Sequence, residues 1–155
     1  MFLECHIIPT PPSSLEEWKE EARRRIDEST STAILAGFEC EATPPDTGEP
    51  ELLHFSYDSF DQQNFADAAL SMQLAAAAGG GIPTSTPWNA YRDWTPESGG
   101  GLVVLQLTAG TFVPIYTAAL TSKATKMAAG SERKAAVETA DSAEAVQALL
   151  AEWSL

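Results

Sequence analysis

Histidine and cysteine are the side chains best suited to acid–base and nucleophilic chemistry near neutral pH, and this chain of 155 residues has two of each. A nucleophile–histidine–acid arrangement needs a histidine in a cleft, whereas His6 and His54 both lie in strand-like runs. Cys5 and Cys40 lack the spacing of a structural zinc site. We expect two buried free thiols, with a disulfide as the alternative if their strands are neighbours. The sequence therefore predicts no catalytic, metal-binding or cofactor-binding residue.

Two glycine triplets, residues 79–81 and 99–101, are candidates for phosphate binding. Neither has the Lys-Ser/Thr pair or the strand–loop–helix setting of a phosphate loop, and the nearby charge is acidic. We interpret both triplets as flexible connectors. Residues 46–49 resemble part of a calcium loop but offer too few spaced oxygen ligands.

The formal net charge of -13 is the strongest compositional feature. No Lys or Arg occurs between Arg25 and Arg92, a stretch rich in carboxylates. Such a surface repels phosphate backbones, so we predict no binding to nucleic acid and none to anionic membranes. The acidity is either a solvated surface or a face for a basic protein partner or a cation. From this stretch we predict Asp46, Glu49 and Glu51 as partner contacts.

Three large aromatic residues, Trp88, Tyr91 and Trp94, recur at intervals of three. They are either a platform on which a sugar or a peptide stacks, or a plug that closes one end of the core. We predict them as partner contacts as well.

The elements that position these residues begin with a hairpin. Residues 33–40 and 52–57 are strand-like runs around a long loop rich in Pro, Gly and Asp, residues 43–50. A helix over residues 61–78 follows, with Asp58 or Ser59 as its cap and Phe65 on its buried stripe. We expect this hairpin and helix to form the core.

On the N-terminal side, we predict a strand over residues 2–8 and a Pro-rich connector that together make a segment 1–12. Residues 13–155 are predicted to be a single α+β domain. It opens with a helix whose cap is Ser13 or Ser14, each with a Glu three residues later.

On the C-terminal side, residues 82–87 are linker-like and residues 102–107 are the most strand-like run. We predict a helix that Thr108 caps and Gly130 ends, and then two short helices. The predicted fold class is therefore α+β. A small antiparallel sheet of three or four strands, the hairpin plus added strands, is packed by helices, and the C-terminal third is helical.

No stretch has the apolar length of a membrane span, and residues 1–10 lack the basic start of a signal peptide. We expect the protein to stay in the cytoplasm where it is made, or to be built into a particle assembled there.

The string HFSYDSFDQQNFADA, residues 54–68, resembles the central motif of an uncharacterised domain family that recurs among bacteriophage and prophage tail genes. Other matching segments extend the resemblance over residues 18–150. They are residues 34–38, 88–94, 105–108 with Phe112 and Tyr116, and 133–137. The resemblance implies a context in phage tails, and no catalytic residue is implied by it.

From this context we expect a non-enzymatic, tail-associated structural protein that acts through protein–protein contacts, as a tail-fibre or baseplate component. Its partners would be other tail proteins, with self-association also open. Its location would be the tail of the virion, or the host cytoplasm during assembly. One alternative is a tail-fibre assembly chaperone that is not retained in the particle. Another is a carbohydrate-binding host-recognition module that uses the aromatic cluster.

Overall fold

The computed structural model describes residues 10–79 and 85–155. The predicted α+β class is confirmed, since these residues form helices and an antiparallel sheet. In chain order the elements are α1 (Leu15–Leu35), β1 (Phe38–Ala42), β2 (Glu51–Phe55), α2 (Ser59–Ala77), β3 (Thr86–Arg92), β4 (Gly101–Leu107), α3 (Ala109–Thr139) and α4 (Ala143–Glu152).

The chain divides into two compact units, and the division falls within α1 and within α3. The sheet unit is Thr30–Ala128. The helical unit combines Met1–Ser29 with Ala129–Leu155. The predicted N-terminal strand and Cys5 lie outside the described residues.

The four strands form an antiparallel meander in the order β1-β2-β3-β4. In the predicted hairpin, Phe38 lies opposite Phe55. Tyr91 of β3 lies opposite His54 of β2, and Trp88 of β3 lies opposite Leu105 of β4. The predicted antiparallel sheet is therefore confirmed.

The first predicted strand began too early, because α1 continues to Leu35 and β1 starts at Phe38. Gly37 separates the two elements with a φ of 96°, a conformation that favours glycine and ends helices. Lys126 Nζ then donates to the carbonyl oxygens of Ala33 and Gly37, at 2.9 Å each. The lysine satisfies the carbonyl of Ala33, which the helix end leaves without an intrahelical partner, together with that of Gly37 just beyond the helix.

The interpretation of residues 82–87 as a linker was wrong for the part that the structure describes, because β3 begins at Thr86. Pro87 lies opposite Gln106 of β4. The register between β2 and β3 pairs His54 with Tyr91, several residues away from Pro87. The missing N–H of Pro87 therefore lies where β3 is paired on one side only, which is where strands tolerate proline.

The predicted break at Gly130 was also wrong, because α3 is one helix of 31 residues that passes through it. An interior glycine costs a helix only about 1 kcal/mol relative to alanine, and the rest of a long helix outweighs that cost. The predicted Thr108 cap is confirmed, since its hydroxyl accepts the backbone N–H of Thr111 at 3.3 Å.

The start of α2 matches its prediction closely. Asp58 accepts the backbone N–H of Asp61 at 2.8 Å, and Asp61 accepts the backbone N–H of Asp58 at 3.1 Å. This reciprocal capping box satisfies two backbone donors at the helix start.

Phe65 of α2 is fully buried at the centre of the sheet unit. Its ring centroid lies 4.5 Å from that of Trp88, 5.5 Å from that of Tyr116 and 5.9 Å from that of Phe112. Phe38 and Tyr57 complete the set, at 6.0 Å and 5.6 Å. The predicted core of hairpin and helix is thus held by a cluster of aromatic rings, with α3 added to it.

The helical unit has its own core. Ala22 and Ile26 of α1, Val137 of α3, and Val146 and Leu150 of α4 are buried together. Ser14, one of the two predicted caps of α1, caps that helix, and Ser142 caps α4. Ser14 accepts the N–H of Glu17 at 3.1 Å, and Ser142 accepts that of Ala145 at 3.1 Å.

Replacing Phe65 with alanine should destabilise the fold by about 3–5 kcal/mol, because it leaves a cavity among the aromatic rings. Urea denaturation followed by circular dichroism measures the free energy of unfolding. Leu70→Ala is the control on the same helix, since Leu70 is exposed and should change stability by less than about 0.5 kcal/mol. Equal effects of the two substitutions would refute the central role of Phe65.

Candidate functional site

Within the sheet unit, α2 and α3 pack against one face of the sheet. Leu53, Phe55, Ala90 and Leu105 point to the face that contacts α2 and α3. Because successive strand residues alternate between faces, their neighbours point the other way. Among these, Leu52 is 64% exposed and Leu102 is 60% exposed.

We define the open face as Leu52, Tyr91, Leu102 and Val104. Tyr91 and Leu102 are a cross-strand pair, and Tyr91 is half-buried. Large apolar side chains are thus exposed together on the face opposite the core. Exposed apolar groups that cluster in this way mark interaction surfaces more often than single exposed residues do.

Glu39 and Glu41 of β1 border the open face. They lie opposite His54 and Leu52, so they point to the same side of the sheet, and both are exposed. No salt bridge within the described residues uses either carboxylate. The border of the open face on the β1 side is therefore acidic.

His54 is packed as a structural residue, between Trp94 and Gly37. Its ring stacks on Trp94, with ring centroids 3.6 Å apart and planes 4° apart. Next to it, a Cβ added to Gly37 would lie 2.7 Å from His54 Nε2, too close for any side chain. Burial lowers the pKa of His54, and a hydrogen bond with the backbone of Ala36 partly opposes that shift.

The three predicted aromatic contacts do not form one platform. Trp88 packs into the core against Phe65 and Phe112, Tyr91 lies on the open face, and Trp94 covers His54. Residues three apart share a face on a helix but point to opposite faces on a strand, which separates Trp88 from Tyr91. The position of Trp88 fits the plug interpretation.

Two of the predicted acidic contacts are engaged within the chain. Arg92 donates from both terminal nitrogens to Asp46, at 3.1 Å each, and from Nε to Glu51 at 2.5 Å. Arg92 lowers the pKa of Asp46. These bonds tie the hairpin loop to the end of β3. Glu49 is exposed, and its backbone N–H donates to Thr47 Oγ1 at 3.4 Å.

A groove of about 480 Å³ lies between the start of α2 and β3. Its lining residues are Ser56, Phe60, Asp61, Asn64, Pro87, Trp88, Asn89 and Tyr91. Sequence reasoning found two of these aromatic residues but missed Phe60, Asn64 and Asn89. The sequence feature that could have indicated the groove is Phe60, an aromatic residue in the first turn of α2 that lies off the stripe containing Phe65.

A smaller cavity of about 240 Å³ lies between the end of β1, β4 and the first turns of α3, and Ala42, Leu107 and Ile115 are among its lining residues. The described part of the chain contains no group of three or more His, Cys, Asp or Glu side chains arranged to hold a metal ion. Within that part, no helix has the length and apolarity needed to cross a membrane.

Residues 17–151 match a family described as a domain of unknown function, DUF4376. The chain belongs to the DUF4376 family. The DUF4376 region contains all four strands, the open face and the groove. No curated protein and no solved structure matches the chain. Since the family description assigns no function, the tail context and every functional role stay predictions.

Replacing Arg92 with glutamine should raise the pKa of Asp46 toward its ordinary value of about 3.9. Because Arg92 lowers that pKa in the folded state, the ion pair stabilises the fold above about pH 4, and this contribution is lost as the pH falls through the lowered pKa. An NMR titration of side-chain carboxyl carbons measures the change. In the control Arg24→Gln, which removes an arginine bound to Glu21 and Glu28, the pKa of Asp46 should not move. An unchanged Asp46 pKa in Arg92→Gln would contradict the arrangement.

Replacing Trp94 with alanine should raise the pKa of His54 toward about 6.5, because the ring that buries the imidazole is removed. In the wild type the pKa of His54 is lowered in the folded chain, so the unfolded chain binds the imidazole proton more tightly than the folded chain does. The free energy of unfolding therefore falls as the pH falls below about 6.5. NMR titration of the imidazole measures the pKa, and Trp153→Ala is the control. A His54 pKa that stays low in Trp94→Ala would show that other groups bury the ring.

Proposed function

We propose that this DUF4376 protein is a non-enzymatic, tail-associated structural protein of a phage or prophage, and that it acts through protein–protein contact. The open face carries the proposal. The tail context rests on the resemblance of residues 54–68 and is independent of that surface.

The open face has the composition of an interface. Its centre is apolar, with Leu52 and Leu102 largely exposed and a tyrosine beside them, and its border is charged. Apolar and aromatic groups at the centre with polar groups at the rim are the usual anatomy of a protein–protein interface. Burying the exposed leucine side chains against a partner would supply about 1.5–3 kcal/mol for each one that is fully covered.

The charge indicates the kind of partner. Glu39 and Glu41 border the open face, and the whole chain carries -13. Opposite charge across an interface speeds association, whereas like charge opposes it. The partner we propose is therefore a tail protein of the fibre or baseplate, with an apolar patch bordered by Lys or Arg. A second copy of this chain would bring acidic borders together and is the less favoured occupant.

A component that remains in the particle is preferred to a chaperone that leaves. The apolar groups of the open face lie on paired strands of the sheet, and pre-organised contacts of this kind suit a persistent interface. The protein would accordingly be located in the virion tail, and in the host cytoplasm during assembly.

Mass spectrometry of purified particles from the parent element tests the proposal. The wild-type chain should occur at a fixed ratio to the tail proteins. Leu102→Glu, which places a charge in the open face, should lower its amount by about tenfold or more, since a buried unpaired charge costs an interface several kcal/mol.

The matched control is Leu70→Glu, an exposed leucine on α2 that does not belong to the open face. It should enter particles like the wild type, and circular dichroism checks that both variants fold. Absence of the wild type from particles, with recovery on unassembled fibres, would overturn the structural role in favour of the chaperone. Equal incorporation of both variants would show that the open face is not the contact.

A further inference from the structure

We propose that the groove between the start of α2 and β3 is a binding site for a neutral saccharide. Its volume of about 480 Å³ lies within the range of about 300–1,000 Å³ that is typical of small-molecule sites. The proposal concerns a different surface and a different ligand class from the tail contact, although Tyr91 borders both.

The groove presents aromatic rings on two sides. Phe60 is 74% exposed although it is a large apolar residue, and it lies in the first turn of α2. Tyr91 lines the groove from β3. Flat rings offer a large contact area at a low entropic cost, and the C–H-rich face of a pyranose ring is a suitable surface to stack on them. A saccharide bound in the groove would therefore cover the exposed ring of Phe60.

The polar groups of the groove suit hydroxyl groups. Asn64 and Asn89 each carry an amide that both donates and accepts hydrogen bonds. Among the described residues neither side-chain amide has a hydrogen-bond partner, so both are available to a ligand. Sugar hydroxyls likewise donate and accept, and adjacent hydroxyls can pair with both atoms of one amide. The groove thus carries amides for the hydroxyl edge of a sugar and aromatic rings for its face.

Charge restricts the saccharide to a neutral one. No Lys or Arg lines the groove, and Asp61 is its one ionisable acid. The Asp61 carboxylate already accepts a hydrogen bond from the backbone N–H of Asp58, and its negative charge faces the groove. Sialylated, uronic and phosphorylated sugars would be repelled. Neutral hexoses and N-acetylhexosamines would be accepted.

The test is an NMR titration of the ¹⁵N-labelled full chain with neutral oligosaccharides. The probes are maltotriose, cellotriose, lactose and N,N′-diacetylchitobiose, with sialyllactose as the anionic comparison. At least one neutral probe should give saturable shifts of the Asn64 and Asn89 signals, with a dissociation constant of about 1 mM or tighter. Sialyllactose should bind more weakly than lactose.

Phe60→Ala should weaken this binding by about tenfold or more, because it removes the most exposed ring. Leu74→Ala is the matched control, since Leu74 is an exposed residue on the same helix that does not line the groove, and it should leave binding unchanged. Phe60 is largely exposed, so its loss is compatible with folding, which circular dichroism checks.

Two outcomes would overturn the proposal. One is the lack of saturable shifts with every neutral probe. The other is shifts that Phe60→Ala does not weaken. In Leu102→Glu the saccharide shifts should persist, so a failure of the tail contact and a failure of the saccharide site give different results.

Discussion

The packing of one side chain, Phe65, determines the arrangement of the sheet unit. Its ring contacts aromatic rings from β1, β3 and α3 and that of Tyr57, which follows β2, so α2 is linked through it to the strands and to α3. The rest of α2 is rich in alanine and has exposed leucines, Leu70 and Leu74, on its outer side. The small side chains of Ala68 and Ala69 let α2 lie close to the core but bury little apolar area. Met72 of α2 is partly buried against the same core, and Phe65 is the residue of this helix that is fully buried.

The same packing decides which residues become available at the surface. Trp88 points inward because it contacts Phe65, so its neighbour Asn89 must point outward, and Tyr91 points outward with it. A shift of β3 by one residue would exchange these faces and place Asn89 against the aromatic core, at a high cost in unpaired polar groups. The open face and the β3 side of the groove thus follow from a register that the aromatic core enforces.

Local signals in the sequence were sufficient for the hairpin, for β4 and for the capped start of α2, because each depends on neighbouring residues. They failed where a distant contact decides the outcome. Lys126 completes the end of α1 from a position 93 residues away from Ala33, and the pairing of Arg92 with Asp46 spans 46 residues. Strand β3 was missed because Pro87 argues against a strand unless one knows that β3 is paired on one side there. The groove was missed for the same reason, since Phe60 and Tyr91 meet only after β3 has joined the sheet.

The acidity of the chain does not act evenly over its surface. Arg92 engages Asp46 and Glu51 at the hairpin loop, whereas Glu39 and Glu41 have no basic partner among the described residues and lie beside exposed apolar groups. Fields from such exposed carboxylates are screened over about 8–10 Å at physiological salt, so they affect the approach of a partner more than the affinity of the docked complex. Binding of a neutral saccharide through rings and amides involves no such charge. The two proposed surfaces lie close together on the sheet, yet they depend on different physical forces, and salt should therefore slow association at one and leave the other unchanged.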